Sequence, residues 1–312
     1  MKVAGVTLSN PDRVLYPEEG LTKLDLARYY AAVAPRMLPH VAGRPLALLR
    51  CPQGRAKPCF YQKHWTGTLP PGVETVPIRE AKGSLGKYTL VRTATGLVSL
   101  VQHGVLEVHL WGSRADRLEA PDRIVFDVDP GPGVTWKRVR EAAGLLRALF
   151  ATLGLSSWLK TTGGKGLHVV LPIARRSSWE EVSAFARAVA QRLAREDPGS
   201  FLASASKAAR RGRIFVDWLR NTRGATAIAP WSTRARPGAP VSVPLAWEEL
   251  DRLKGGDQFG LAQAQALAQG RRRDPWAALS GARQRLTPAM TAALEGPNPR
   301  SSRRRAASAL PR

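Results

Sequence analysis

The stretch Arg123-Ile-Val-Phe-Asp-Val-Asp-Pro130 constrains this chain more than any other. Its alternation predicts a strand, with Ile124, Phe126 and Val128 on one face and Val125, Asp127 and Asp129 on the other. Pro130-Gly131-Pro132-Gly133 ends it, because proline fixes φ and offers no ladder donor. Two carboxylates two residues apart on one face lie about 6.5–7 Å apart along a strand. That spacing lets them share divalent cations, without which they repel. Turn chemistry before Pro-Gly is a sufficient account of Asp129 alone. It does not account for Asp127, which sits inside an apolar run.

A third aspartate, Asp217, falls mid-strand in Arg213-Ile-Phe-Val-Asp-Trp-Leu219. An Asp between Val and Trp is costly to bury unless it is paired or bound to metal. One reading is a core ion pair with Arg220. The other joins it to Asp127 and Asp129 as oxygen ligands for two hard divalent ions, Mn2+ or Mg2+. A two-metal clamp of that kind supports in-line phosphoryl transfer.

Around these strands the chain mixes helical and extended patterns, which predicts a mixed α/β or α+β class. Thr22-Lys23-Leu24-Asp25 and Ser178-Trp179-Glu180-Glu181 are capping boxes opening helices. The first is expected to end before Pro39 and the second to reach about Arg195. A further helix is expected over 135–153, with Gly154 as its cap. Arg44–Arg50, Tyr88–Arg92, Val98–Val101 and Val105–Trp111 read as strands, and Ile78–Gly86 as an exposed basic loop. In Val105–Trp111 the residues Glu107, His109 and Trp111 share one face. From Gln258 the sequence turns Ala/Gln/Arg-rich. A domain of 1–257 is therefore expected, followed by an extension whose basic tail, from about 297, is disordered.

Lys and Arg total 48 against 24 Asp and Glu, a net charge of +24 over 312 residues. Such an excess calls for a polyanionic partner, nucleic acid before membrane. No apolar run approaches the roughly 18 residues of a membrane helix. Cys51 and Cys59 fit neither a disulfide scaffold nor a zinc site, and point to unpaired thiols in a reducing cytoplasm.

Three more patterns bear on chemistry. Thr161-Thr-Gly-Gly-Lys-Gly-Leu-His168 offers backbone N–H groups and Lys165 to a phosphate, although a plain hairpin turn fits the same residues. Its spacing is not that of a Walker A loop. Phe60, Tyr61, Lys63, His64 and Trp65 mix rings with cations, as single-stranded nucleic acid requires and as a partly buried aromatic cluster also would. Ser232-Thr-Arg-Ala-Arg236 supplies a bidentate phosphate clamp. Together these describe a metal-dependent enzyme acting on nucleotides and nucleic acid.

Several long motifs, in order, then resemble the polymerase domain of bacterial ligase D, of the archaeo-eukaryotic primase superfamily. They are Asp122–Val134, Thr162–His168, Arg213–Asn221 and Ser232–Trp247, and the resemblance covers about residues 5–255. It implies a primase-polymerase core of mainly antiparallel sheets flanked by helices. It makes Asp127, Asp129 and Asp217 the catalytic metal-binding triad. It assigns Thr162, Lys165, His109 and Arg234 to the sugar and triphosphate of the incoming nucleotide, and Phe60, with Tyr61 beside it, to the base. Asn10, Arg13 and Lys23 match a grip on a 5′-phosphate of downstream DNA. Lys82 and Lys87, and Lys207 and Arg210, fall in loops matching those that hold broken ends together. The activity implied is ribonucleotide-preferring extension of 3′ ends at gaps and breaks in non-homologous end joining.

Thr162 stands where serine is expected, Arg13 where lysine is common, and Tyr61 in place of a second phenylalanine. The ligase and phosphoesterase domains are absent, which predicts a stand-alone form or excised domain working with a separate ATP-dependent ligase and the end-binding protein Ku. Two rivals share parts of this pattern. A primer-making primase would use the same site, whereas a non-catalytic DNA-binding module needs the charge but neither metal nor Asp127. A nucleotide-sugar transferase with Asp-x-Asp and manganese is disfavoured by the +24 charge and by Asp217.

Overall fold

The computed structural model describes residues 1–80, 83–206 and 208–296. Two six-stranded sheets organise it. The first runs Phe201–Leu202, Ile214–Asp217, Arg123–Pro130, Leu167–Pro172, Trp158–Thr161 and Pro244–Leu245. All its pairings are antiparallel except that between its first two strands. The second runs Thr226–Ile228, Val105–Trp111, Leu46–Arg50, Leu85–Val91 and Val73–Arg79, with Phe60–Gln62 added beside Leu46–Arg50. This is the mixed, mainly antiparallel architecture expected.

The Arg123–Pro130 strand is central because its two faces have different work. Ile124, Phe126 and Val128 are fully buried. Phe126 packs on Phe150 of the helix Trp136–Thr152, ring centroids 5.0 Å apart. The helix Trp179–Glu196 opens with the expected capping box and buries Val182, Phe185, Val189 and Leu193 in the same core. That leaves the Arg123, Val125, Asp127 and Asp129 face turned away from these helices.

Four local expectations are corrected. The helix Lys23–Val41 does open on the Thr22/Asp25 box, but it runs through Pro35 and Pro39. Burial of Met37, His40 and Val41 offsets the roughly 3 kcal/mol that an interior proline costs. Val98–Val101 is helical, within Ala94–Gln102, because Thr93 caps the Gly96 N–H and a short apolar run fits either period. The ends of the expected loop 78–86 are strand: Ile78 pairs with Gly86 and Arg79 with Leu85 in a hairpin. Cys51 and Cys59 form a disulfide, Cα atoms 4.4 Å apart. The pairing of Arg50 with Phe60 closes the loop between them and brings the flanking cysteines together. The argument from unpaired thiols to a reducing compartment therefore lapses.

Packed structure also continues beyond residue 257. The helix Leu261–Gly270 buries Ala264 and Ala268, and Leu294 of the helix Pro288–Glu295 is buried as well. Trp276 is 2% exposed and donates its indole N–H to the Leu159 carbonyl at 2.9 Å. The tail expected from about 297 lies outside the described residues. Trp276→Ala should therefore destabilise the whole protein by about 3–5 kcal/mol. Urea denaturation checks this, and a loss below about 1 kcal/mol would mean the segment is peripheral.

Candidate active site

Register assembles the carboxylates. Asp127 stands directly opposite Asp217 on one neighbouring strand and His168 on the other, while Asp129 stands opposite Phe215. Opposed residues share a face with Cβ atoms about 4.5–5.5 Å apart. Three carboxylates and one imidazole therefore emerge together.

Their charge is met by arginines. Arg210 donates to Asp129 at 2.6 Å. Arg220 lies 3.1 Å from Asp217 and 3.7 Å from Asp127. His168 Nε2 is 3.5 Å from Asp127. Burial alone would raise Asp127, but His168 and Arg220 carry it down to about 2. Asp129 and Asp217 are raised, first by burial and also by repulsion from Asp127. Burial and the neighbouring Lys160 push His168 down to about 4. Lys160 itself, opposite His168 and buried, is held well below its ordinary value by desolvation.

These hard oxygen donors suit Mg2+ or Mn2+ in chemistry and in backbone placement. Among the described residues, no three His, Cys, Asp or Glu side chains are gathered tightly enough to hold an ion. The guanidiniums supply the positive charge that divalent ions would otherwise bring. The residues fit a cation that replaces an arginine contact.

The turn after Trp158–Thr161 forms one wall. Gly163 has φ +63°, and a Cβ on Gly166 would meet the Val128 carbonyl at 2.2 Å. Glycine thus lets the turn lie directly on the carboxylate strand. The Thr162 hydroxyl donates to the Gly166 carbonyl and accepts the Gly164 N–H, so it stiffens the turn. Arg234 donates to the Thr162 carbonyl at 2.8 Å.

The facing wall is the wholly buried strand Val105–Trp111. Glu107 accepts from Ala235 N–H at 2.8 Å, lies 2.8 Å from His109 Nε2 and 3.1 Å from Arg234 Nε. Burial would raise it, yet His109 and Arg234 bring it down to about 2. Burial also lowers His109, against the pull of Glu107. Between the walls lies a cavity of about 210 Å³, lined by Asp127, Asp129, Thr162, Lys165, His109 and Arg234, with Arg220 and Arg236 beside them.

The structure therefore gathers most of the nucleotide set. Tyr61 joins it, its ring 5.7 Å from that of His109. Phe60 falls on the other face of the same short strand, 49% exposed with the Arg50 guanidinium 5.5 Å over its ring. Asn10, Arg13 and Lys23 meet elsewhere. Asn10 takes φ +47°, its carbonyl accepts the Arg13 N–H, and the buried Lys23 donates Nζ to the Ser9 carbonyl at 2.7 Å. Lys87 is exposed on the hairpin, opposite Pro77. Lys82 and Lys207 lie outside the described residues. Arg210, expected in an end-holding loop, donates to Asp129. The sequence patterns left Glu107 and Lys160 without a role and gave Arg220 only one carboxylate, while Arg236 of the expected phosphate clamp does line the cavity. The signal available was a charged residue inside an apolar strand, at Glu107 and at Lys160.

The family model "LigD, primase-polymerase domain" matches residues 22–276, and the chain belongs to that family. The chain is 43% identical over 288 residues to the multifunctional non-homologous end joining protein LigD of Pseudomonas aeruginosa, which covers 92% of this chain and 34% of that protein. It is 39% identical to LigD of Mycolicibacterium smegmatis over 247 residues, 78% of this chain and 32% of that protein. It spans about a third of the length of these relatives. The polymerase domain from Mycobacterium tuberculosis ligase D, in complex with DNA, superposes with TM-score 0.80 at 35% identity, over 86% of this chain and 96% of that one.

Glu107 sets a pH dependence. Its ordinary pKa is 4.5 and its folded value about 2. The stability it contributes is present above about 4.5 and lost as pH falls towards 2. The difference in urea-unfolding free energy between the wild type and Glu107→Gln should be constant above about pH 5 and shrink below it. A difference that does not change with pH would contradict this balance.

Proposed function

We propose that the chain is a metal-dependent nucleotidyltransferase that extends 3′ ends at gaps and broken ends during non-homologous end joining. The observation that carries the reading is the register of Asp127 opposite Asp217, with Asp129 on the same face, under a wall of phosphate-seeking cations. The family membership and the DNA-bound neighbour support it.

Asp127, Asp129 and Asp217 would hold Mn2+ or Mg2+, which supplies activation of the attacking oxygen and neutralisation of the leaving group. The chain's own groups position the substrate. Lys165 and Arg234 face the cleft and meet a triphosphate, Arg234 with a fork suited to two oxygens. The Thr162 turn and His109 line the sugar side. His109 stays neutral at neutral pH, since burial lowers it, and so contacts the nucleotide without adding charge. Glu107 anchors both His109 and Arg234, so its role is positioning. Tyr61 lies towards the base, with Phe60 at the adjoining surface. Asn10, Arg13 and Lys23 form a separate pocket for a 5′-phosphate of the downstream strand. Ribonucleotide preference, and cooperation with Ku and an ATP-dependent ligase, belong to the same proposal. Among the described residues no helix is long and apolar enough to cross a membrane.

The test is extension of a gapped duplex bearing a 5′-phosphate, with manganese and labelled ribo- or deoxynucleotides. Asp129→Ala should slow addition by about a hundredfold or more, given several kcal/mol of lost charge stabilisation. Equal extension by both proteins, or none by either, overturns the reading in favour of DNA binding alone. Lys23→Ala should weaken binding to 5′-phosphorylated DNA about tenfold, the worth of one charge-assisted hydrogen bond. An equal loss on 5′-hydroxyl DNA removes the phosphate-pocket assignment.

A further inference from the structure

A larger cavity, of about 680 Å³, opens at the other end of the carboxylate strand. Arg123 begins that strand, opposite Pro172, four residues before Asp127. On one face of a strand that is about 13 Å from the carboxylates. Val125, Val170 and Trp276 pack together on the same face and separate the two sites.

Eight arginines line the cavity against two carboxylates, Asp122 and Asp274, and one of the eight, Arg175, is held by Asp116 outside the lining at 2.7 and 2.9 Å. Both carboxylates are already taken. Arg44 holds Asp122 through two hydrogen bonds of 2.6 Å, with Arg114 3.5 Å away, and Arg36 lies 3.5 Å from Asp274. Arg123 Nε lies 3.9 Å from Asp122 Oδ1, which Arg44 already holds, and so beyond hydrogen-bond reach. It is 4% exposed, and its Nε has no hydrogen-bond acceptor among the described residues. A buried guanidinium N–H without an acceptor is expensive unless an anion completes it. The surrounding charge is felt elsewhere in the wall. Burial, then Arg123, Arg44 and Arg114, push His40 down to about 3, and burial with Arg44 lowers Arg114.

We propose that this cavity is a second anion site, distinct from the carboxylate cleft, which takes a compact oligophosphate such as pyrophosphate or the polyphosphate chain of a nucleotide. Charge matching favours an oligophosphate over a single carboxylate or phosphate. With Arg44 held by Asp122 and Arg175 by Asp116, the remaining arginine excess is met by several negative charges within a few ångströms, and the guanidiniums without a carboxylate can hold phosphate oxygens in a fork. Depth favours a compact ligand over a duplex backbone, since Arg123 lies at the bottom of the recess. The exposed Arg283 and Arg285 form the rim and would close over the ligand.

The experiment is calorimetric titration of the full chain, without divalent metal, with sodium tripolyphosphate, pyrophosphate, orthophosphate and a 5′-hydroxyl duplex. Lys165→Ala/Arg234→Ala serves as background, so that the carboxylate cleft does not contribute. Tripolyphosphate and pyrophosphate should bind with one site per chain, and orthophosphate about tenfold more weakly or worse. Arg283→Ala/Arg285→Ala, at exposed positions, should cost about tenfold or more, the loss of at least one charge-assisted contact. Arg123→Met should cost as much, with circular dichroism confirming its fold. No oligophosphate binding, binding unchanged by the rim variant, or competition by the duplex at equal affinity overturns the proposal.

Discussion

One constraint underlies the rest: three carboxylates brought to one face of a sheet must be neutralised. The register of Arg123–Pro130 with Ile214–Asp217 sets Asp127 against Asp217, and no side-chain choice nearby can undo that proximity. Arg210 and Arg220 answer it by direct contact, and His168 adds a dipole that stays neutral at ordinary pH. The site thus gathers three carboxylates among compensating cations, inside a chain with a net charge of +24.

The cleft around this focus is stiff for identifiable reasons. Gly166 lets the Thr162 turn rest on the backbone of Val128, and the Thr162 hydroxyl closes the turn on itself. Across the cleft, Glu107 fixes Arg234 and His109 from beneath. Arg234 then ties the two walls together through the Thr162 carbonyl. Arg234 and His109 are therefore held in place by the protein itself, and a group held in advance loses less entropy when a ligand binds.

One strand face serves two opposite electrostatic regions. Asp127 and Asp129 mark one end and Arg123 the other, with Val125 between them under Trp276. Trp276 comes from the segment after residue 257, so that segment forms part of the barrier between the regions. A water-filled gap there would screen each charge set from the other. The apolar plug screens less, and the buried Lys160 between the regions feels both Asp127 and Arg123.

The alternating strand, both capping boxes, the helix after Gly133 and the glycine turn were legible in the sequence, because each rests on local spacing and local hydrogen bonds. The family was legible too, through motifs that keep their order along the chain. Helix continuation through Pro35 and Pro39, the helical state of Ala94–Gln102 and the Cys51–Cys59 pairing were not. Burial carried the first helix through its prolines, the Thr93 cap settled a run that fits either period, and the pairing of Arg50 with Phe60 brought the cysteines together. The same division holds in the site. The sequence by itself determined which carboxylates and cations exist and that Asp127 and Asp129 share a face, since strand periodicity is a backbone property. Only the tertiary structure decided that Arg210 meets Asp129, that Arg220 bridges Asp127 and Asp217, and that Glu107 underlies Arg234. Long flexible side chains take partners according to which strands and loops the fold brings within a few ångströms, and that is a property of the packed chain.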